Sequence, residues 1–213
     1  MPIDWAATGT WMQAWAGFAQ AGAIGIAAWK AADTFRGWRK QKLEERRIAA
    51  AEDILTTAYR LQRAFSIVRN SVTSVSALEE ARARLKMSGV DIGKYAGDQQ
   101  IRIVEAQVIF DRIDQFALDW DKLSALTPLA IALFGSSVGE SLEGIWKQKV
   151  VLQVATEQYT TDDDSDVNFS TQVRDIIWSG RAKQGGREDQ VERQLERYII
   201  DLEQVLLPIV RSE

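Results

Sequence analysis

The sequence predicts an all-α protein, an N-terminal transmembrane helix continuing into a cytoplasmic antiparallel helical bundle. Three observations predict it. Residues 5–29 carry no formal charge. Beyond residue 48, apolar residues recur three and four apart, which places them on one face of a helix. No stretch alternates apolar and polar residues between hairpin turns, as a strand would. A length of 213 residues suits one domain with an appendage. The expected divisions are a transmembrane segment over 1–30 with a short outside terminus, a basic juxtamembrane helix over 31–47 and a cytoplasmic bundle over 48–213.

The first segment is long enough to span. Twenty-five helical residues extend about 37 Å, against a hydrocarbon core of roughly 30 Å. Trp5, Trp11 and Trp15 lie towards one end, and Trp29 and Trp38 towards the other. Indole rings favour the lipid–water interface, so the five read as two anchoring belts. The composition is weakly apolar, with nine Ala and four Gly in 5–29. Gln13 and Gln20 cost free energy in lipid unless they are hydrogen-bonded. They lie seven apart and share a face. Gly17, Ala21 and Gly25 form a small-residue stripe that permits close helix approach. Such a span is better stabilised by other helices than by lipid alone, and homo-oligomerisation is expected.

The collar follows. Residues 1–29 have net charge −1, residues 30–47 have +4 and residues 48–213 have −7. Lys30, Arg36, Arg39, Lys40, Lys42, Arg46 and Arg47 supply the positive block. Basic residues on one side of a span stay cytoplasmic, which puts the amino terminus outside. The same residues suit anionic lipid head groups. An acidic body argues against nucleic acid as a partner.

The bundle elements come next in order. Ile48, Ala51, Ile54, Leu55, Ala58, Leu61, Phe65 and Val68 make an apolar stripe, and Gly37 alone interrupts the helical pattern before it. Asn70–Ser76 breaks the helix, and Ser76 with Glu79 has capping-box spacing for a helix to about 86. Residues 88–97 read as a loop. One long helix is expected over 98–124, with Ile101, Val104, Val108, Ile109, Ile113, Phe116, Trp120 and Leu123 inward. Thr127-Pro128 should start a short helix that Gly135 ends. Ser137 with Glu140 should cap a helix to about 159, with Leu142, Ile145, Trp146, Val150, Leu152 and Val154 mostly inward. Residues 161–167 read as a polar loop, 168–179 as helix, 180–186 as a flexible loop and 188–207 as the last helix.

The absence of Cys and His removes much chemistry. There is no thiolate nucleophile, imidazole base or Ser-His-Asp triad. Gly89, Gly93, Lys94 and Tyr95 approximate a phosphate loop. They fail on spacing and on Tyr where Ser or Thr belongs. Asp162, Asp164 and Asp166 match the first three positions of a calcium loop, but Val167 and Val173 stand where Gly and Glu are required. Glu79, Glu80, Arg82 and Arg84, like Glu188, Asp189, Glu192 and Arg193, read as solvated helix faces. No catalytic residue, cofactor or metal site is expected.

Thr10-Trp11-Met12-Gln13-Ala14, the Ala/Gly span, the run Arg39–Arg47 leading to Ala51-Glu52-Asp53-Ile54-Leu55, and the closing Leu206-Leu207-Pro208-Ile209 resemble a group of small bacterial and prophage single-pass membrane proteins. The resemblance implies a bacterial inner-membrane location and a helical cytoplasmic body. The architecture is also similar to small pore-forming accessory proteins of bacterial antiviral defence, in which a short span oligomerises below a helical body. The expected partners are the lipid bilayer, further copies of the chain and a cytoplasmic protein. Two rival readings stand beside this one. One is a membrane-tethered enzyme using carboxylates. The other is a soluble helical adaptor with a buried Ala-rich first helix.

Overall fold

A computed structural model describes residues 5–162 and 164–211, with the backbone alone for 5–28, 31 and 32. The described residues are helical and contain no strand. Helix α1 spans Trp5–Val68, so helical hydrogen bonding carries through Gly37. The chain divides into two compact units, Met1–Arg47 and Ile48–Glu213.

In the second unit the helices are α2 (Val75–Met87), α3 (Gly97–Asp114), α4 (Ala117–Phe134), α5 (Ser136–Thr161), α6 (Val167–Ile177), α7 (Arg181–Gln184) and α8 (Gln190–Val210). Helix α5 is the hub and packs against α3, α4, α6 and α8. The expected α1 stripe is buried at Ala51, Ile54, Leu55, Ala58, Leu61, Phe65 and Val68. It joins a core with Trp120, Leu123, Leu142, Ile145, Leu152, Ile199 and Leu202. Phe65 meets Trp120 edge-on at 5.5 Å, and the Tyr59 hydroxyl donates to Glu203 at 2.7 Å, tying α1 to α4 and α8. Helix α2 lies on α3 over a satellite core of Ala81, Leu85, Val104 and Val108.

Several expected boundaries move. The helix expected over 98–124 is two helices, because Phe116 leaves helical geometry at φ −106° and ψ 18°. That turn lets Phe116 pack on the core while Trp120 and Leu123 enter it. Thr127-Pro128 starts nothing, since α4 runs through Pro128. Proline removes one donor there, while Leu126 and Ala130 hold the helix to the core. Ser76 is not a cap. Ser74 caps α2, its Oγ accepting from Ala77 N at 3.2 Å. Ser137 is not a cap either, because Gly135 at φ 95° makes the entire α4–α5 junction. Asp166 and Asp189 cap α6 and α8, and α8 continues through Pro208 to Val210. The loop expected over 180–186 contains α7. Ile101, Val150 and Val154 are exposed instead of inward.

No helix among the described residues is long and apolar enough to cross a membrane. The side chains on which the expected span rests, those of 5–28, lie outside the described residues.

Candidate membrane-interface collar

Of the sequence-predicted residues, Gln13, Gly17, Gln20, Ala21, Gly25, Trp5, Trp11 and Trp15 lie on α1 with side chains outside the described set. The collar itself is described. Trp29 is 65% exposed and Trp38 57%. Lys30, Arg36, Arg39, Lys40, Lys42 and Arg46 are exposed, and Arg47 is half-buried.

Helical spacing sorts these residues. Arg36, Arg39, Lys40, Leu43, Arg46 and Arg47 follow the pattern i, i+3, i+4, i+7, i+10 and i+11, which brings them onto one face. No acid interrupts the sequence between Phe35 and Leu43. The three acids of the collar flank that stretch. Asp33 precedes it, Glu44 lies 3.7 Å from Arg47, and Glu45 lies 3.0 Å from Lys42 while also accepting from Gln41. Exposed pairs of this kind contribute about 0–1 kcal/mol each and break readily. Arg39, Lys40 and Arg46 make no ion pair among the described residues. Phe35 is 57% exposed and Leu43 51%. The Phe35 and Trp38 rings sit 5.8 Å apart at 30°. The seven cations and both tryptophans are legible in the sequence, whereas Phe35 and Leu43 emerge beside them only by period-3.6 counting around the collar.

The second unit holds polar clusters of another kind. Arg69, 2% exposed, donates to the Ile176 and Asp175 carbonyls at 2.7 and 2.9 Å and to both Asp189 carboxylate oxygens at 3.0 Å. Asp189 also accepts from Glu192 N, so one carboxylate caps α8 and neutralises the guanidinium. The acidic run is similarly occupied. Asp166 caps α6, Asp164 receives Arg174 and Arg102, and Asp162 accepts from Ser170 Oγ at 2.8 Å. Among the described residues no group of three or more acids could hold a metal ion.

Two sites bear on proton transfer. Tyr159 donates to Glu105 at 2.8 Å, and burial followed by that bond raises the phenol far above its ordinary pKa. It lines a polar cavity of about 310 Å³ with Arg181, Trp178 and Gln184. Lys149 lies over Trp146 at 4.3 Å and Trp120 at 5.3 Å, and burial lowers its pKa. A larger groove of about 560 Å³ has Glu192 and Glu196 on its wall, with Glu192 ion-paired to Lys183. The smaller cavity also carries Glu105, Ser71 and Ser179 on its wall, and the larger one Tyr59, Ser66 and Ser179.

No protein family, curated protein or solved structure matches the chain.

Proposed function

We propose that this chain is a single-pass bacterial inner-membrane protein with its amino terminus outside. Its helical body then works in the cytoplasm as a membrane-anchored interaction module. One observation carries the reading: a 25-residue charge-free stretch is bracketed by tryptophans and flanked on one side alone by seven cations. That asymmetry is what a topology signal requires. The low apolarity of the stretch favours assembly. Ala, Gly and two Gln gain little from lipid, and helix–helix packing with amide bonds of about 0.6–2 kcal/mol each supplies what lipid does not. Gln13, Gly17, Gln20, Ala21 and Gly25 are the proposed assembly face. An oligomeric effector of the pore-forming, antiviral-defence type is the sharper form of the reading, in keeping with the architectural similarity to pore-forming accessory proteins of bacterial antiviral defence.

Alkaline-carbonate extraction of membranes from expressing cells tests the anchor. Retention in the pellet with release by detergent is expected; release by carbonate overturns it. Assembly is tested by Gln13→Leu with Gln20→Leu, which should move the detergent-solubilised protein towards monomer. An oligomer unchanged by the pair removes that face.

A further inference from the structure

We infer that the small polar cavity between α3, α5 and α7 binds a zwitterion, an α-amino acid with a short polar side chain, whose ammonium group meets Glu105 and whose carboxylate meets Arg181. The inference goes beyond the membrane reading and does not rest on it, because every residue lining the cavity belongs to the second unit. What it adds is a ligand class for the helical body.

Opposed, unpaired charges carry the inference. The cavity of about 310 Å³ is at the small end of ligand sites. Five segments meet on it: Ser71 follows α1, Glu105 stands on α3, Tyr159 on α5, Ser179 follows α6 and Arg181 stands on α7. Glu105 and Arg181 share this wall, yet neither makes an ion pair among the described residues. Elsewhere in the unit facing charges close on one another, as Arg84 does with Asp111 and Arg187 with Asp175. Arg102 and Arg174, which act on Tyr159, are both taken by Asp164. Tyr159 is itself buried and donates to one Glu105 oxygen at 2.8 Å. That bond orients the carboxylate and leaves its charge without a cation. Glu105 is half-buried and Arg181 exposed, so the negative end lies inward. A plain anion in so small a space meets Glu105, and a plain cation meets Arg181. A neutral sugar would displace water from both charges and neutralise neither. A zwitterion neutralises both, with charge-assisted bonds at each end and the planar fork of arginine matched to its carboxylate. Ser71, Ser179 and Gln184 offer hydroxyl and amide groups to the ligand's side chain, which is therefore short and polar.

Equilibrium dialysis of the full chain in detergent against labelled L-serine, with glycine and L-threonine for size, tests the site. Serine should bind saturably with a Kd between roughly 10 μM and 1 mM. Two analogues keep one charge each: ethanolamine lacks the carboxylate and 3-hydroxypropionate lacks the amine. Each should compete about ten-fold or more weakly than serine itself. Glu105→Gln removes the charge and keeps an acceptor for Tyr159. It and Arg181→Gln should each weaken serine about ten-fold or more, with helical content unchanged by circular dichroism. Arg197→Gln, which removes an exposed cation elsewhere, should leave the Kd unchanged. No saturable binding of any of the three amino acids up to about 10 mM overturns the inference. Ethanolamine or 3-hydroxypropionate competing as well as serine assigns the cavity to a plain cation or a plain anion and overturns the zwitterion. Serine binding that survives both charge-removing variants places the ligand elsewhere and overturns the site.

Discussion

Arg69 concentrates more of the second unit's polar organisation than any other residue described above. Its guanidinium reaches the end of α6 and the cap of α8 from the residue that follows α1. Removing one partner of a buried pair leaves the other charged and unpaired, at about 3–5 kcal/mol. Asp189→Asn should therefore lower stability by that order in urea unfolding, and a loss under 1 kcal/mol would show that solvent reaches the pair. Nothing in the sequence marked Arg69, because its partner lies 120 residues away and helix periodicity reports only neighbours three or four apart. In the sequence Asp189 is only one charge of a solvated face; its role as a cap follows from where α8 starts. Tyr59 allows a pH test. Its bond to Glu203, with burial second, raises its pKa from 10.0 to about 12. The unfolded chain then loses the phenolic proton first. The contribution is complete below about pH 10 and disappears as pH rises towards 12. Tyr59→Phe should flatten the fall in stability between those values, as measured by unfolding at pH 9 and pH 11.

At the scale of the element, the helices were legible and their joints were not. Long apolar stripes fixed α1 and α8 well, since seven or eight periodic positions outvote any single residue. Joints depend on one residue each. Phe116 breaks a helix that contains no Gly or Pro at that point, and Pro128 fails to break one. Both outcomes are set by packing against α5 and the core, which local propensity does not contain. Gly135 is the exception, a residue whose identity announced its role. At φ 95° and ψ 176° it occupies a region almost closed to other residues. Gly135→Ala should cost about 1–3 kcal/mol of unfolding free energy even though nothing lies within 4 Å of the added methyl. A neutral substitution would mean the α4–α5 junction relaxes into another turn. Gly144→Ala is the contrasting case, where the Tyr198 ring occupies the space a methyl would need.

At the scale of the molecule, the two units call on different physics. Residues 48–213 enclose their own apolar core, so that fragment should unfold in one cooperative urea transition when expressed alone. Several separated transitions would divide the satellite core of α2 and α3 from the rest. The first unit was read from charge and aromatic placement, and the described part of the candidate site, Trp29 and Trp38 through Arg47, was almost wholly visible in the sequence. The proposed assembly residues rest on composition alone, and their side chains lie outside the described residues. The apolar stripe of α1 has a further consequence for how the protein is made. Phe65 meets Trp120 early in the chain, but the α8 members of the same core, Leu195, Ile199, Leu202 and Leu206, all follow Gln190. At about 5–20 residues per second, a ribosome takes roughly 6–25 seconds to pass from the end of α1 to the start of α8. During that interval the core is only partly covered and the nascent chain is a target for chaperones, and a message truncated before α8 would yield a product with that side of the core bare.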